Sequence, residues 1–464
     1  MKSSNYLMVA FILVSASLFA ATPKNVILFI GDGMSTPQRM TAEEFARKSG
    51  ADRQYLYINR LPNQATTRTC SADHLVTDSA AAATAIACGE KTYNHGIGVD
   101  PKHKKLVSCA EVAKANGRKV GIVTTVTINH ATPSGFYGHR NDRGDGYGLG
   151  LDLLSSNFDF FAGGGCDGHN NKGHKEYKGD IYELAAQHGY KVIREDKKAF
   201  EALKPSAGKV WYVGAHSTLP YSIDAEQWGN TPTLAEMTAK AMKMLENPKG
   251  FFLMVEAGKI DYAGHANDAA ANLREVLALD DAVKEALKYQ KKHSDTLIIV
   301  TGDHETGGMS MGIANTGYSF YMDLLANQKC SADAVKDYIA KNHISTFEEL
   351  KPFFTENFGF EFSGSGAMAL SDSQRHELES AFNHDLQMAK SGKKDAEAYD
   401  AQKISRLPAT LKNIMSRKSG IGWTSNTHTA LPVLTTSIGP GAEKFTGFLD
   451  NTDISKNIKA FFGK

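Results

Sequence analysis

Residues 25–33 of the chain read NVILFIGDG. An uninterrupted apolar run that ends at a glycine is typical of a strand buried on both faces of a parallel sheet. Asp32 follows the run directly, so its carboxylate is expected just beyond the carboxyl end of the strand. In sheets of this kind, binding and catalytic sites form at that end.

Three further apolar runs, residues 119–126, 250–255 and 295–301, also read as strands. One strand that ends in a reactive side chain is common by chance, whereas four predict a single site assembled from distant segments at one edge of a sheet. The side chains that follow these three runs are His130, Glu256, Asp303 and His304.

Helical patterns lie between these strands. They comprise the alanine-rich stretch 80–87, which Gly89 stops, a segment that Ser108 and Glu111 open as a capping box, and residues 272–292. Strands that alternate with helices predict an α/β fold, with a large and mostly parallel sheet flanked by helices on both faces.

Residues 305–422 interrupt this alternation. They include an amphipathic stretch, 371–390, and a basic run, 412–418. We therefore expect a catalytic α/β domain formed by residues 22–304 and 423–464, with residues 305–422 as a long insertion that serves as a cap or an interface element.

The charge of the chain is nearly balanced, with 52 Lys+Arg against 51 Asp+Glu in 464 residues. The sequence has no basic field that would point to nucleic acid and no polybasic run that would point to an anionic membrane. The length suits one large α/β enzyme domain with insertions, or two to three ordinary domains.

Residues 1–21 have the pattern of a secretory signal peptide. Lys2 precedes the apolar run 6–14, and small residues extend to Ala20 and Ala21. The run is shorter than the roughly 20 apolar residues that a membrane-spanning helix needs. The pattern predicts an exported protein, periplasmic or secreted, and a mature chain without a membrane span.

Export would place the chain where disulfides persist. The five cysteines include no CxxC pair, which argues against a zinc–thiolate cluster. Cys88 ends one predicted helix and Cys109 starts the next, and this pair is the favoured bridge. An odd number of cysteines leaves at least one thiol free.

Ser79 follows Asp78 at the start of the alanine-rich helix. A serine at this position can simply cap the helix. The position also suits a nucleophile that receives a phosphoryl group, because the amino end of a helix favours anions. A serine hydroxyl needs a base or a metal for activation, so the choice depends on whether the chain supplies metal ligands.

Carboxylates and histidines do occur at metal-ligand positions. Asp261 and His265 are four residues apart, which places them on one face of a helix. Histidine with carboxylate suits zinc, and oxygen-only ligands suit magnesium. His169 and His174, in the glycine-rich segment 166–175, could also bind metal, but a surface loop is the favoured interpretation. The candidate ligands are Asp32, Glu256, Asp261, His265, Asp303, His304 and His428.

Together these pieces resemble the alkaline phosphatase family. Residues 76–84, VTDSAAAAT, are very similar to that family's nucleophile signature. The similarity covers most of residues 24–304 and returns at about 423–445. The other pieces follow in the family's order, namely Asp32 after its strand, EAGKIDYAGH at residues 256–265, Asp303-His304 and His428.

The resemblance implies two zinc ions and one magnesium ion. Asp261, His265 and His428 would hold the first zinc. The second zinc would be surrounded by Asp32, Asp303, His304 and the Ser79 oxygen. The magnesium site would use Asp32, Thr132 and Glu256. His130 would lie beside the magnesium site and act mainly through a bound water, and it could favour zinc or cobalt there.

The implied activity is hydrolysis of phosphate monoesters through a phosphoserine on Ser79, which releases inorganic phosphate and an alcohol. Arg143 would bind the phosphoryl oxygens, and Arg140 is a nearby rival for that role. Tyr262 stands where other members often carry lysine or histidine. It would bind phosphate without adding charge, or simply pack at the rim. Family members are usually homodimers.

Other interpretations remain open on the sequence alone. A sulfatase, phosphodiesterase or phosphomutase can be built on a similar sheet. The Cys/Ser-x-Pro-x-Arg run of a sulfatase is missing around Ser79, Cys70 and Ser71. A diesterase stays open, because residues 305–422 could shape a pocket for a second substituent. A phosphate- or zinc-binding protein without catalysis is disfavoured by the intact serine and ligand set.

Overall fold

The computed structural model describes residues 22–48, 53–224, 231–314, 316–390 and 405–463. The expected signal peptide, residues 1–21, lies outside the described residues. Within the described ranges, no helix is both long enough and apolar enough to cross a membrane.

Strands of the described residues are β1 Asn25–Gly31, β2 Asn63–Arg68, β3 Lys119–Thr124, β4 Phe160–Gly163, β5 Tyr190–Arg194, β6 Lys209–Val213, β7 Phe251–Ala257, β8 Thr296–Gly302, β9 Glu305–Thr306, β10 Met309–Met311, β11 Ile421–Trp423, β12 His428–Thr429, β13 Val433–Ile438 and β14 Gly447–Asp450. Ten of them form one sheet in the order β14-β2-β13-β8-β1-β7-β3-β4-β6-β5. Strand β13 runs antiparallel to its neighbours β2 and β8, and the other described pairings of this sheet are parallel. The predicted fold class is therefore confirmed.

Helices pack around this sheet. Those of the described residues are Thr36–Lys48, Ser79–Cys88, Cys109–Ala115, Ala131–Ser134, Gly146–Ser156, Ile181–Gln187, Lys197–Glu201, Leu234–Leu245, Lys259–Ala266, Ala269–Gln290, Ala334–Asn342, Phe347–Phe358, Asp372–Lys390, Arg406–Ser419 and Asn451–Phe461.

The central strands are buried on both faces, as their apolar sequences predict. Every residue of β1, β7 and β8 is buried. Ile27 and Phe29 belong to one apolar cluster, whereas Val26, Leu28 and Ile30 belong to a second. Because successive side chains of a strand point to opposite faces, the two clusters are the cores on the two sides of the sheet.

The two ends of the segment 305–422 lie side by side. Strand β9 pairs with β12, and β10 pairs with β11, both antiparallel. The chain therefore leaves the edge of the main sheet directly after His304 and returns to the same place just before His428. Its predicted amphipathic stretch forms the helix Asp372–Lys390, and the basic run lies within Arg406–Ser419.

The structure does not show the expected bridge between Cys88 and Cys109. All five cysteines lie in the described part of the chain, and all are free thiols. Both side chains are buried in the apolar cluster that includes Ile454 and Ile458 of the helix Asn451–Phe461. The two thiols therefore lie in an apolar setting without a covalent link.

Candidate active site

Ser79 is the first residue of its helix. Asp78 is the N-cap, and its Oδ1 accepts a hydrogen bond from the Ala81 amide at 2.9 Å. Gly89 ends the helix in the left-handed conformation, at φ 77°, so the predicted start and stop are both confirmed. The Ser79 side chain is buried, and its Oγ lies 3.1 Å from His304 Nε2.

The parallel register places three acidic side chains next to one another. Strand β1 lies between β7 and β8, with Ile30 opposite Glu256 and Gly31 opposite Gly302. Asp32 and Asp303, the next residue of each strand, are therefore neighbours. Gly33 follows at φ 75°, and a Cβ there would lie 2.8 Å from the Asp261 Cα. Only glycine allows the helix that carries Asp261 to approach this turn so closely.

A first ligand group consists of Asp261, His265 and His428. Asp261 Oδ1 lies 3.3 Å from His265 Nε2 and 3.5 Å from His428 Nε2, and the two Nε2 atoms are 3.1 Å apart. The Nδ1 atoms face backbone carbonyls, of Asn426 at 2.7 Å and of Thr77 at 2.9 Å. A proton on each Nδ1 leaves the Nε2 lone pairs directed at the shared centre.

A second group forms around His304. Its Nε2 lies 3.4 Å from Asp32 Oδ1 and 3.3 Å from Asp303 Oδ2. The Ser79 Oγ lies 3.1 Å from the same Nε2 atom. Asp303 uses its other oxygen to accept hydrogen bonds from the amides of Gly33 and His304, at 3.0 and 2.9 Å. The Ser79 oxygen and the second set of candidate ligands therefore share one centre.

A third group consists of Asp32, His130 and Glu256, whose ligand atoms lie within 4.8 Å of one another. The Thr132 hydroxyl donates to Asp32 Oδ2 at 3.3 Å, and the Thr124 hydroxyl donates to Glu256 Oε2. Asp32 belongs to both the second and the third groups, so these two centres are adjacent.

Four buried polar atoms of these groups have no hydrogen-bond partner among the described residues. Leaving such an atom unsatisfied costs roughly 1–3 kcal/mol, so each calls for an explanation. All four face ligand groups of mixed oxygen and imidazole character, which suits divalent cations. The residues present therefore fit metal ions at these centres. The atoms are Asp32 Oδ1, His130 Nδ1, Glu256 Oε1 and Asp303 Oδ2.

The electrostatics of the site point the same way. Burial raises the pKa of Glu256 to about 8 and that of Asp303 to about 7. Burial and the neighbouring Asp303 raise the pKa of Asp32 as well. Burial lowers the pKa of His130 to about 3, which keeps that imidazole neutral and able to bind metal. A cation would offset the repulsion among the crowded carboxylates.

Arg143 lies at the open side of the site. Its Nη1 is 3.1 Å from Asp78 Oδ2, and it lines a cleft of about 350 Å³ together with Ser79, Asp261, His265 and His428. Its rival Arg140 makes a two-pronged contact with Asp152 and a further ion pair with Glu176. These carboxylates hold Arg140 in a structural network away from the cleft.

Other candidates take different positions. The Tyr262 ring lies edge-on to His130, 5.9 Å between centroids, and 5.2 Å from the Lys259 ammonium. His169 and His174 contact carboxylates, Asp180 at 2.9 Å and Asp145 at 2.9 Å, in a turn-rich segment. The favoured interpretation of that segment as a loop agrees with the structure.

Sequence reasoning missed the polar residues that support the ligands. Thr124 donates a hydrogen bond to Glu256, and Thr306 donates one to Asp261. Gln38 donates a hydrogen bond to Glu305, the residue that follows His304. Threonine and glutamate are common everywhere, so type alone gave no signal. The position of Glu305 directly after His304 was the one available indication.

Comparisons with known proteins identify the family of the chain. The family profile described as alkaline phosphatase matches residues 23–463. Alkaline phosphatase 3 of Bacillus subtilis is 31% identical over 447 residues, covering 94% of this chain and 88% of the relative. The repressible alkaline phosphatase of Saccharomyces cerevisiae is 30% identical, covering 88% and 75%.

Solved structures are also similar. The cold-active alkaline phosphatase of a Shewanella species superimposes with a TM-score of 0.80 at 28% identity, covering 95% of this chain and 100% of that one. A mutant alkaline phosphatase of the Antarctic bacterium TAB5, solved with Mg bound in its M3 site, gives a TM-score of 0.64 at 26% identity, covering 96% and 99%.

The fold and these matches define an enzyme of the phosphomonoesterase class, which hydrolyses phosphate monoesters. The chain belongs to the alkaline phosphatase family.

Proposed function

We propose that this chain hydrolyses phosphate monoesters through a phosphoserine intermediate, at a site that holds two zinc ions and one magnesium ion. The observation that carries this proposal is that the Ser79 hydroxyl contacts His304 of the second group and lines one cleft with Asp261, His265 and His428 of the first, while Asp32 joins the second group to the third. Oxygen and imidazole ligands in the first two groups favour zinc.

The residues divide among the metals as follows. Asp261, His265 and His428 hold the first zinc, and Asp32, Asp303, His304 and Ser79 hold the second. Asp32, Thr132 and Glu256 hold the magnesium, with His130 beside it. The magnesium in the M3 site of the TAB5 mutant structure supports a magnesium ion at the third group of this chain.

Ser79 acts as the nucleophile. Bound metal ions would supply Lewis-acid chemistry, which lowers the pKa of the serine hydroxyl and offsets charge on the phosphoryl oxygens. The Ser79 oxygen attacks phosphorus, the bond to the substrate alcohol breaks, and a phosphoserine forms. Water then attacks the same phosphorus, so that inorganic phosphate leaves and Ser79 is regenerated. The amino end of the helix favours the negative charge throughout.

Arg143 binds and orients the phosphoryl group. Its guanidinium presents paired donors that match two phosphoryl oxygens, and Asp78 keeps it at the cleft before substrate arrives. Because the proposed contacts end at the phosphoryl group, the enzyme does not select the alcohol part of its substrate. This fits a phosphatase of broad specificity.

The proposal also covers the localisation and assembly of the enzyme and the roles of two further parts of the chain. The sequence of residues 1–21 supports export to the periplasm or beyond the cell, and the family resemblance supports a homodimer. Residues 305–422 would form a cap or an interface element, and Tyr262 would contact phosphate at the rim of the site.

The decisive experiment combines a metal assay with two substrates. The purified protein should contain about two zinc ions per chain and hydrolyse an aryl phosphate monoester much faster than the matching diester. Preference for the diester would identify a phosphodiesterase instead. Zinc binding without turnover of either substrate would identify a binding protein and contradict the proposal.

A further inference from the structure

Glu305 is a fully buried carboxylate with donors on every side. It accepts hydrogen bonds from Gln38 Nε2 at 2.6 Å, from the amides of Gly308 and Met309 at 3.0 and 3.1 Å, and from the Thr429 hydroxyl. All four neighbours are donors, which matches the acceptor oxygens of a carboxylate. A buried polar group satisfied in this way fixes the positions of the groups around it.

One of these contacts, from the Thr429 hydroxyl, joins the segments on either side of the long excursion of the chain. Glu305 and Thr306 form strand β9, and His428 and Thr429 form its antiparallel partner β12. Thr429 stands opposite Glu305 in this register, and His428 stands opposite Thr306. A two-residue ladder is marginal by itself, so side-chain contacts must decide whether it holds.

Gln38 extends the connection to the first strand of the sheet. Its Oε1 accepts from the Ser35 amide at 3.0 Å, close to Asp32, while its Nε2 donates to Glu305 and to the Thr306 carbonyl at 3.2 Å. Thr306 in turn donates to Asp261 and lies 3.3 Å from His304 Nδ1. One neutral amide and one carboxylate thus link the segments that carry ligands of the first two groups.

We infer that Glu305 is a positioning residue that fastens the His428 strand to the sheet edge and thereby sets the affinity of the first metal group. His428 is separated from the other ligands by more than a hundred residues of intervening chain, and closing so long a loop is entropically unfavourable. The buried hydrogen bonds of Glu305 offset that cost at the place where the ligand is needed. The inference rests on the proposed function, since it assumes a metal in the first group.

The test measures zinc affinity in protein stripped of metal, by competition with a chromophoric chelator. Glu305→Gln keeps the shape but places an amide NH₂ against groups that are all donors. We expect the zinc of the first group to lose affinity roughly 10- to 100-fold, as substitutions behind metal ligands commonly do, while the other ions bind as before. Excess zinc should restore turnover of an aryl phosphate with an unchanged KM.

A milder pair of variants covers the case in which Glu305→Gln does not fold. Thr429→Val removes one donor to Glu305 and should weaken the same zinc several-fold, whereas Thr429→Ser keeps the hydroxyl and should match the unaltered protein. Ser310→Ala, at an exposed position of the neighbouring strand, serves as the control.

The outcomes distinguish failure of the positioning role of Glu305 from failure of the proposed function. Equal zinc affinity in all variants would overturn the positioning role and leave the phosphatase proposal intact. The same conclusion would follow if a variant lost every metal to the same degree and also lost its near-ultraviolet circular dichroism signal. An unaltered protein that binds no zinc would overturn both.

Discussion

The Asp78 carboxylate that caps the helix of Ser79 also holds Arg143. Its Oδ1 accepts from the Ala81 amide at 2.9 Å, and its Oδ2 lies 3.1 Å from Arg143 Nη1. The same Oδ2 accepts from the His95 amide at 3.1 Å, and the His95 carbonyl accepts from the Arg143 amide at 2.9 Å. A single side chain therefore contacts both the helix of the proposed nucleophile, Ser79, and the proposed phosphate-binding cation, Arg143.

Asp78→Asn should separate these two roles. The amide oxygen can still cap the helix, so the melting temperature should stay close to that of the unaltered protein, whereas Asp78→Ala should lose about 1 kcal/mol of stability. Arg143 loses its ionic partner in both variants and becomes less ordered. We expect inhibition by inorganic phosphate to weaken roughly threefold or more, because ordering the side chain then counts against binding. An unchanged inhibition constant in both variants would show that Asp78 does not position Arg143.

Ser79→Ala should abolish the phosphoserine and lower turnover at least about a hundredfold, since one step of the reaction loses its nucleophile. Slow hydrolysis should persist, because the metals and Arg143 still bind substrate. Acid-quenched protein labelled with radioactive phosphate gives the measurement. Label on any other residue of the unaltered protein would refute the assignment.

Tyr262→Lys should tighten inhibition by inorganic phosphate about fivefold, which corresponds to roughly 1 kcal/mol. The added positive charge would lie beside a dianionic product, and an interaction across water at about 4 Å is worth roughly that amount. Turnover should fall if product release is limiting. Tyr262→Phe is the matched control for loss of the hydroxyl without a change of charge. Equal inhibition constants for the lysine variant and the original would show that this position does not tune phosphate binding.

Alkylation should distinguish the cysteines by burial. Burial raises the pKa of the Cys109 thiol to about 12 and raises that of Cys88 further still. At pH 8 only about one Cys109 in ten thousand is then a thiolate, so both should resist iodoacetamide in the folded protein. Cys70, which is half-buried, should react first. After unfolding without reductant, all five should be modified; a peptide that links Cys88 to Cys109 would contradict the structure.

Local signals explain what the sequence could predict. Asp78 and Gly89 bound the nucleophile helix because capping chemistry acts within a few residues, and the apolar run after Asn25 could only be a buried strand. Parallel pairing then brought Asp32 and Asp303 together, since the carboxyl ends of such strands meet at one edge. Alternation of strands and helices was thus enough for the fold class and for the neighbourhood of the site.

Long-range packing explains what the sequence could not predict. The antiparallel course of β13 depends on its partners β2 and β8, which lie far away in the chain. The surroundings of Cys88 include the helix Asn451–Phe461, and the proposed support of His428 comes from Glu305, and in both cases the two partners lie far apart in the sequence. None of these relations leaves a periodic pattern, because each is a single contact between distant residues.

The path of the chain between His304 and His428 also bears on when the proposed site is complete. Ser79, Asp32 and Asp261 precede residues 305–422 in the sequence, whereas His428 follows them. Until strand β12 docks beside β9, a folding polypeptide carries the proposed nucleophile without its complete set of proposed ligands. Activity should therefore arise in one late step of folding, and a chain truncated within the intervening segment should be inert although its serine is intact.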